Sequence, residues 1–250
     1  MDDAEARRLL EEVMDREASV ALGFVVTGSV ARGTASSHSD LDVYVVLADG
    51  VPPRPVSRSA RLDVIPISIS GLEDLPGFGT PGWWQRWSFA WARVERDRTG
   101  GRLPEAARRQ ATLTPAEQRA VLVDHYRLDG YLNVAYRALK SDRAGRPAPC
   151  RLDAAEAVPW LLDTLFAFAG RVRPYNGYLA WELANHPVPG LATDEVLGVV
   201  EGHLAGDPVA VRAGVRLVER RAGDWDAASA GTTLAEIIDA WGDDLVLLRG

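Results

Sequence analysis

Three aspartates set the first question. Asp40 and Asp42 stand two apart at the start of an apolar run, "DLDVYVVL", and Asp63 stands near the start of another, "RLDVIPIS". In a strand, residues i and i+2 leave the same face, so Asp40 and Asp42 point the same way. Isolated ionised carboxylates are costly in an apolar segment unless a cation pairs with them. All-oxygen ligands at this spacing suit one or two hard divalent ions, Mg2+ above all, and a neighbouring strand can bring Asp63 to the same end of the sheet. Upstream, an apolar strand breaks at Gly28-Ser29 into the short helical pattern "SVARG". Amides and a hydroxyl there can hold phosphate oxygens, with glycine allowing the backbone to approach closely. Triphosphate with Mg2+ is the chemistry these residues suggest together. Taken singly, Gly28-Ser29 also reads as a turn with an N-cap, Asp40 as an Asx-turn, and Asp63 as a solubilising strand end.

The elements that must position these residues are read from periodicity and punctuation. A helix is predicted from about Asp3 to Arg16, then strands at Ser19 to Thr27, Leu41 to Leu47, Arg61 to Ile69 and around Phe89 to Asp97. "PRPVSRS" reads as a loop, and Pro66 moves its strand towards an edge or a bulge. A stretch of Gly, Pro and charge, "DRTGGRLPEAARRQATLTPAEQ", marks a boundary near residue 110. Beyond it, Thr114-Pro115-Ala116-Glu117 has the form of a capping box with Pro at the first helical position, opening a long helix towards Lys140. Further helices are expected at Asp153 to Ala169, Tyr178 to Asn185, Asp194 to Ala205, Pro208 to Ala222 and Leu234 to Trp241. The fold class is α+β: a small mixed-sheet domain over residues 1–110, then an all-helical bundle over 111–250.

Composition narrows the function. The 250 residues are 47% hydrophobic and 25% charged, with a net charge of −7. That is globular composition, and its sign disfavours an extended nucleic-acid surface while leaving room for a local basic pocket. An acidic amphipathic opening and the lack of an apolar run of about 18 residues predict a soluble, cytoplasmic protein with no membrane partner. The lone cysteine, Cys150, forms no internal disulfide and builds no thiolate metal cluster. Hard Mg2+ prefers oxygen, so His38 is not counted as a ligand and none of the four histidines is assigned to catalysis. Trp83, Trp84 and Trp87 in "PGWWQRW" suit either interior packing or a stacking wall.

The order of these signals carries a resemblance. "GSVARGTASSHSDLD", with an acid opening the next strand, resembles the nucleotidyltransferase superfamily that includes DNA polymerase β and antibiotic-modifying enzymes. "YLNVAYRALK" and "RLDAAEAVPWLLDTLFAFAGRVRPYNGYLAWEL" look like the helical C-terminal domain of bacterial aminoglycoside-type enzymes of that superfamily, departing from many of them in having Gly177 rather than Lys after "PYN". The resemblance implies transfer of a nucleoside monophosphate from an NTP, ATP or GTP, to a hydroxyl, with two Mg2+ ions. Asp40 and Asp42 hold the metals, and Asp63 is a third ligand, the base, or both. Gly28 and Ser29 hold phosphates, and the helical domain brings Arg137, Lys140 and Arg173 as phosphate contacts. Asp153 and Glu156 share a helix face at i, i+3 in a segment that otherwise reads as core, and Glu156 is the first choice to hold an ammonium of a cationic hydroxylated acceptor. Nucleotidylation of a protein, as by minimal antitoxins of this superfamily, a nucleotide-sensing module without turnover, and RNA tailing are the alternatives.

Overall fold

The computed structural model describes residues 1–229 and 234–250. The chain divides into two compact units, Met1–Thr112 and Leu113–Gly250. The first is built on a five-stranded sheet of β1 (Ala21–Thr27), β2 (Leu41–Leu47), β3 (Ser57–Arg58), β4 (Leu62–Ser68) and β5 (Arg93–Asp97), in the order β3-β4-β2-β1-β5. β2 and β4 run parallel, and the other neighbours are antiparallel. The observed architecture is therefore a small mixed sheet followed by a mostly helical remainder. Among the described residues, no helix is long and apolar enough to cross a membrane.

Strand alternation explains the layers. Leu41, Val43, Val45 and Leu47 of β2 face helix α1 (Asp3–Arg16), whose Ala6, Leu10 and Val13 complete one apolar layer with Phe24, Val26 and Val64. The opposite face carries Val25 and Val46, which pack with Ile69 and Leu72 of α3 (Ile69–Glu73) and with Leu103, Ala106 and Ala107 of α5 (Arg102–Ala111). The short helix α2 (Gly28–Ala31) joins β1 to β2, and helix layers cover both sides of the sheet.

Several local expectations are revised by this structure. The loop "PRPVSRS" contains β3, a two-residue strand too short to show any periodicity. It pairs only with Asp63 and Val64, so β4 is an outer edge where Pro66 stands, which is where a residue without an N–H is tolerated. The fourth long strand begins at Arg93 rather than Phe89, because the short helix α4 (Trp83–Arg86) runs into a 3₁₀ turn, Trp87–Phe89, that buries Trp87 and Phe89. The two units divide after Thr112, and the stretch that carries the predicted boundary also holds α5, which belongs to the first unit. Its last turn is closed by Arg86, which is only 1% exposed and donates to the carbonyls of Gln110 (2.9 Å), Thr112 (2.9 Å), Arg109 (3.4 Å) and Pro76 (3.2 Å) while lying over the Trp83 ring. Gln110 in turn donates to Leu72 O and Asp74 O at the end of α3. A cation over the exposed carbonyls of a helix C-terminus is the favourable arrangement there.

In the second unit, α6 (Pro115–Arg119) opens on the expected capping box, with Thr114 and Glu117 exchanging hydrogen bonds. The single helix predicted towards Lys140 is instead broken. A π turn over Ala120–Asp124 ends at Tyr126, whose φ is 55°, and α7 (Arg127–Arg143) starts afresh. The wider turn shifts helical phase, so Val121 and Leu122 before the break and Leu128, Tyr131 and Leu132 after it are all buried. α7 packs on α8 (Pro147–Phe168), which begins six residues before the expected Asp153 because Pro147 is compatible with a first turn. α9 (Leu179–Asn185), α10 (Thr193–Ala205), α11 (Pro208–Ala228), α12 (Leu234–Asp239) and α13 (Leu245–Arg249) follow, α11 running six residues beyond Ala222. In this bundle His203 is fully buried, with Nδ1 2.7 Å from Val199 O, and Tyr131 Oη lies 3.4 Å from its Nε2. Burial pushes the imidazole below its ordinary pKa, so it is the neutral form that bonds to both partners. Gly214 leaves the space they occupy: a Cβ there would lie 2.3 Å from Tyr131 Oη.

Arg86 should be the most costly of the charged side chains to remove from the first unit. Arg86→Met strands several carbonyls, and loses about 3 kcal/mol of unfolding free energy. Arg108→Met, which deletes an exposed pair with Glu105, changes it by less than about 0.5 kcal/mol. Urea titrations followed by tryptophan fluorescence and circular dichroism check the difference.

Candidate metal and phosphate site

The carboxylate site is assembled by strand register. In the parallel ladder Asp42 pairs with Asp63, and in the antiparallel ladder Thr27 pairs with Asp42. Asp40 precedes β2 at i−2 from Asp42. Each of the three offers a carboxylate oxygen, and these atoms lie within 4.8 Å of one another. All three side chains are half-buried. They stand on the sheet face that continues inward through Tyr44 and Val46 into the α3/α5 layer, at the point where that layer gives way to solvent.

The first βα turn closes on the same point. β1 ends at Thr27, and Gly28 follows with φ +70°. A Cβ on Gly28 would lie 2.2 Å from Asp42 Oδ2, so both the backbone conformation and the approach of the carboxylate require glycine here. Ser29 is the second residue of α2, and its carbonyl accepts from Thr34 N at 2.9 Å, which folds the rest of the loop back on itself.

The three acids differ in their partners. Asp63 accepts from Ser59 N at 3.3 Å, and Arg58 Nε lies 3.7 Å from its other oxygen, since β3 places Arg58 opposite Asp63. Asp42 is pushed up to about 6 by its burial, with Asp40 and Asp63 adding repulsion and Arg32 and Arg58 offsetting part of it. Arg32 is itself buried, donating to the carbonyls of Trp87, Ser88 and Ala90 and lying 4.0 Å from the Trp87 ring centroid. A set of three oxygen donors, short of positive charge and crowded enough to resist ionisation, fits a hard divalent cation such as Mg2+. Arg32 and Arg58 were not singled out from the sequence. Arg32 lies in the quoted loop, but Arg58 faces Asp63 only through a pairing that two residues cannot announce.

The remaining sequence candidates lie in the second unit, where the structure shows their local surroundings. Arg137 is exposed and pairs with Asp153 Oδ1 at 2.9 Å across α7 and α8. Lys140 is exposed, with Nζ 5.8 Å from the Tyr136 ring centroid. Arg173 is buried at 8% exposure and donates to Pro159 O at 3.2 Å and Asn176 Oδ1 at 3.0 Å, with Asp163 3.5 Å away. Glu156 is solvent-exposed, although its segment of the sequence otherwise reads as core. Ala154, Ala157, Val158, Leu161 and Leu162 form the packed stripe of α8, and position 156 falls outside it. Gly177 has open space around its Cβ direction. In the first unit Trp83 and Trp87 are buried and Trp84 is half exposed. His38 lies exposed in the loop before Asp40.

The raised Asp42 has a measurable consequence. Its pKa moves from 3.8 in the unfolded chain to about 6, so the fold loses stability as pH rises through that window, and the whole penalty is present above it. In metal-free buffer Asp42→Asn should therefore raise the melting temperature at pH 8, by roughly 2–4 °C after solvent screening, and the gain should vanish near pH 4. Thermal unfolding of both proteins across pH 4–8 in the presence of a chelator measures it.

Comparison with known proteins agrees with this geometry where it reaches. No curated protein matches the chain significantly. Among solved structures, a nucleotidyltransferase-like protein from Exiguobacterium sibiricum 255-15 shares 12% identity, aligning 95% of this chain with 87% of its own at a TM-score of 0.42, too distant to bear on fold or chemistry. The family model described as "Nucleotidyltransferase domain" matches residues 6–72, a span that runs from α1 to α3 and includes Gly28, Ser29 and all three aspartates. Residues 6–72 thus match the sequence pattern of a nucleotidyltransferase domain, and the Asp40–Asp42–Asp63 cluster lies within that span.

Proposed function

We propose that this protein is a Mg2+-dependent nucleotidyltransferase that moves a nucleoside monophosphate from ATP or GTP to a hydroxyl of a small, cationic molecule, with pyrophosphate leaving. The observation that carries the reading is the convergence of three carboxylates and the Gly28 turn on one point inside the segment that matches the nucleotidyltransferase model. Asp40 and Asp42 are the metal ligands, with Asp63 as third ligand. Divalent ions bound there, two in this reading, would neutralise phosphoryl oxygens and hold the attacking and leaving oxygens in line. The Gly28 amide and the Ser29 hydroxyl bind the β- and γ-phosphates, since a backbone without a Cβ can approach them closely. Asp63 takes the proton of the acceptor hydroxyl. Its bond from Ser59 N and the nearby Arg58 orient the carboxylate for that transfer.

The contacts of the helical unit belong to the same reading. Arg137 and Lys140 keep exposed head groups on one face of α7 and are assigned to the triphosphate. Arg173 is assigned there as well, held in a fixed direction by Asn176 and Asp163. Glu156 is the carboxylate assigned to an ammonium of the acceptor, and an aminoglycoside-type amino sugar is the class that joins ammonium and hydroxyl groups. The chain's net charge of −7 favours such a partner.

Pyrophosphate release with ATP or GTP and Mg2+, measured across aminoglycosides, lincosamides and neutral polyols, tests the reading. Asn at Asp40, Asp42 or Asp63 should lower turnover about a thousandfold, which is roughly 4 kcal/mol of transition-state stabilisation. Ordinary turnover in Asp42→Asn would end the enzyme assignment. For the acceptor, Glu156→Gln should raise KM for the amino sugar several-fold and leave KM for NTP nearly unchanged, and acceptor KM should rise with ionic strength. A panel in which neutral acceptors or a protein are labelled and amino sugars are not would keep nucleotidyl transfer and exclude the cationic acceptor.

A further inference from the structure

Asp40 differs from its two companions in lying outside the sheet. Asp42 and Asp63 are fixed by the β2–β4 ladder, whereas Asp40 belongs to the loop that ends at β2. Something other than strand pairing must hold that loop in place if the three carboxylates are to meet. The loop supplies part of the answer itself, because Ser39 N donates to Ser36 O at 3.1 Å and Ser36 N to Ser39 Oγ at 2.9 Å. These bonds shape the turn without tying it to the rest of the unit.

The tie is Arg61. Its Nη1 donates to Ser37 O at 2.9 Å and to Ser39 O at 3.3 Å, the latter being the carbonyl directly before Asp40. Its Nε donates to Glu5 Oε1 at 3.0 Å, and Nη2 bonds to Glu5 Oε2, so one planar guanidinium grips a carboxylate of α1 with one edge and two loop carbonyls with another group. Its own carbonyl accepts from Leu41 N at 3.0 Å, and its Cα lies two residues before Asp63. One side chain therefore joins α1, the start of β4 and the loop that ends in Asp40. Bidentate geometry is what separates Arg from Lys in such a role.

We propose that Arg61, held by Glu5, is a positioning residue that sets Asp40 against Asp42 and Asp63 and so tunes divalent-cation affinity. This rests on the reading of the three aspartates as a metal site. Neither Arg61 nor Glu5 supplies a ligand; they fix the direction of one, an outer-shell effect commonly worth tenfold or more in affinity. Both side chains are partly exposed, at 39% and 29%, so their removal should cost little global stability.

The experiment is titration of the full-length chain with Mn2+, followed by water-proton relaxation, with thermal unfolding of the same samples. Arg61→Ala is expected to weaken Mn2+ about tenfold while lowering the melting temperature by no more than roughly 2–3 °C. Arg61→Lys should recover only part of the affinity, since one ammonium cannot grip Glu5 and two carbonyls together. Glu5→Gln should show a smaller loss, and adding Glu5→Ala to Arg61→Ala should cost nothing further. Arg8→Ala, which removes an exposed pair with Glu12 on the same helix, should bind Mn2+ as the parent does. Unchanged Mn2+ affinity in folded Arg61→Ala, or in Glu5→Gln should Arg61→Ala fail to fold, overturns the positioning role and leaves the metal site standing. Absence of Mn2+ binding to the parent chain overturns the metal site, and the positioning role falls with it.

Discussion

Bringing three carboxylates to one point against their own repulsion and desolvation is the constraint on which the first unit depends. Half-buried acids with ligand atoms within 4.8 Å raise one another's energy, and the penalty falls mainly on Asp42, the most central of them. The protein offsets it incompletely. Arg32 and Arg58, the latter beside Asp63, both favour the charged Asp42, yet it is still pushed up to about 6. A fold under selection for stability alone would put a neutral residue there. What the arrangement retains is a set of carboxylates that could hold a cation, at a local cost of the kind expected where function and stability compete.

The rest of the unit can be understood as the frame that makes this crowding hold. Apolar layers on both faces of the sheet fix β2 and β4 in parallel register, and that register alone places Asp42 beside Asp63. A one-residue slip would turn Asp42 into the α1 layer and expose Leu41 or Val43. Gly28 then lets the first turn approach the carboxylate where any side chain would collide with it. Arg86 and Gln110 close the ends of α5 and α3, and Arg32 closes the segment Trp87–Ala90. The buried guanidinium groups of Arg86 and Arg32 thus satisfy backbone carbonyls.

The helical unit solves its polar burial differently. Asp163 lies between Arg127 and Arg173, Arg171 pairs with the fully buried Glu182, and the neutral His203 shares a pocket with Tyr131. Burial raises the Asp163 carboxyl and lowers the Arg171 and Arg173 guanidinium groups, so these pairs are held by mutual geometry more than by ease of ionisation. Such groups fix directions. That is a useful property in a domain assigned to hold charged substrates.

The sequence by itself determined the alternation that makes β2 a half-buried strand, the helix Asp3–Arg16 with its acidic first turn, the capping box at Thr114, and the shared face of Asp40 and Asp42. Each is a short-range matter, governed by period 2, period 3.6 or a hydrogen bond across three residues. The order of glycine, serine and paired acids was legible for the same reason. Tertiary structure decided what depends on partners distant in the chain. It set β2 parallel to β4, brought the two-residue β3 with Arg58 opposite Asp63, and used Arg61 to bind Glu5, 56 residues away, to the loop before Asp40. It also decided that a predicted helix would break at Tyr126, where neither proline nor glycine stands, and that Glu156 would face solvent while Arg173 was buried. Local pattern fixes which face a residue can take; only packing against a remote surface fixes what that face meets.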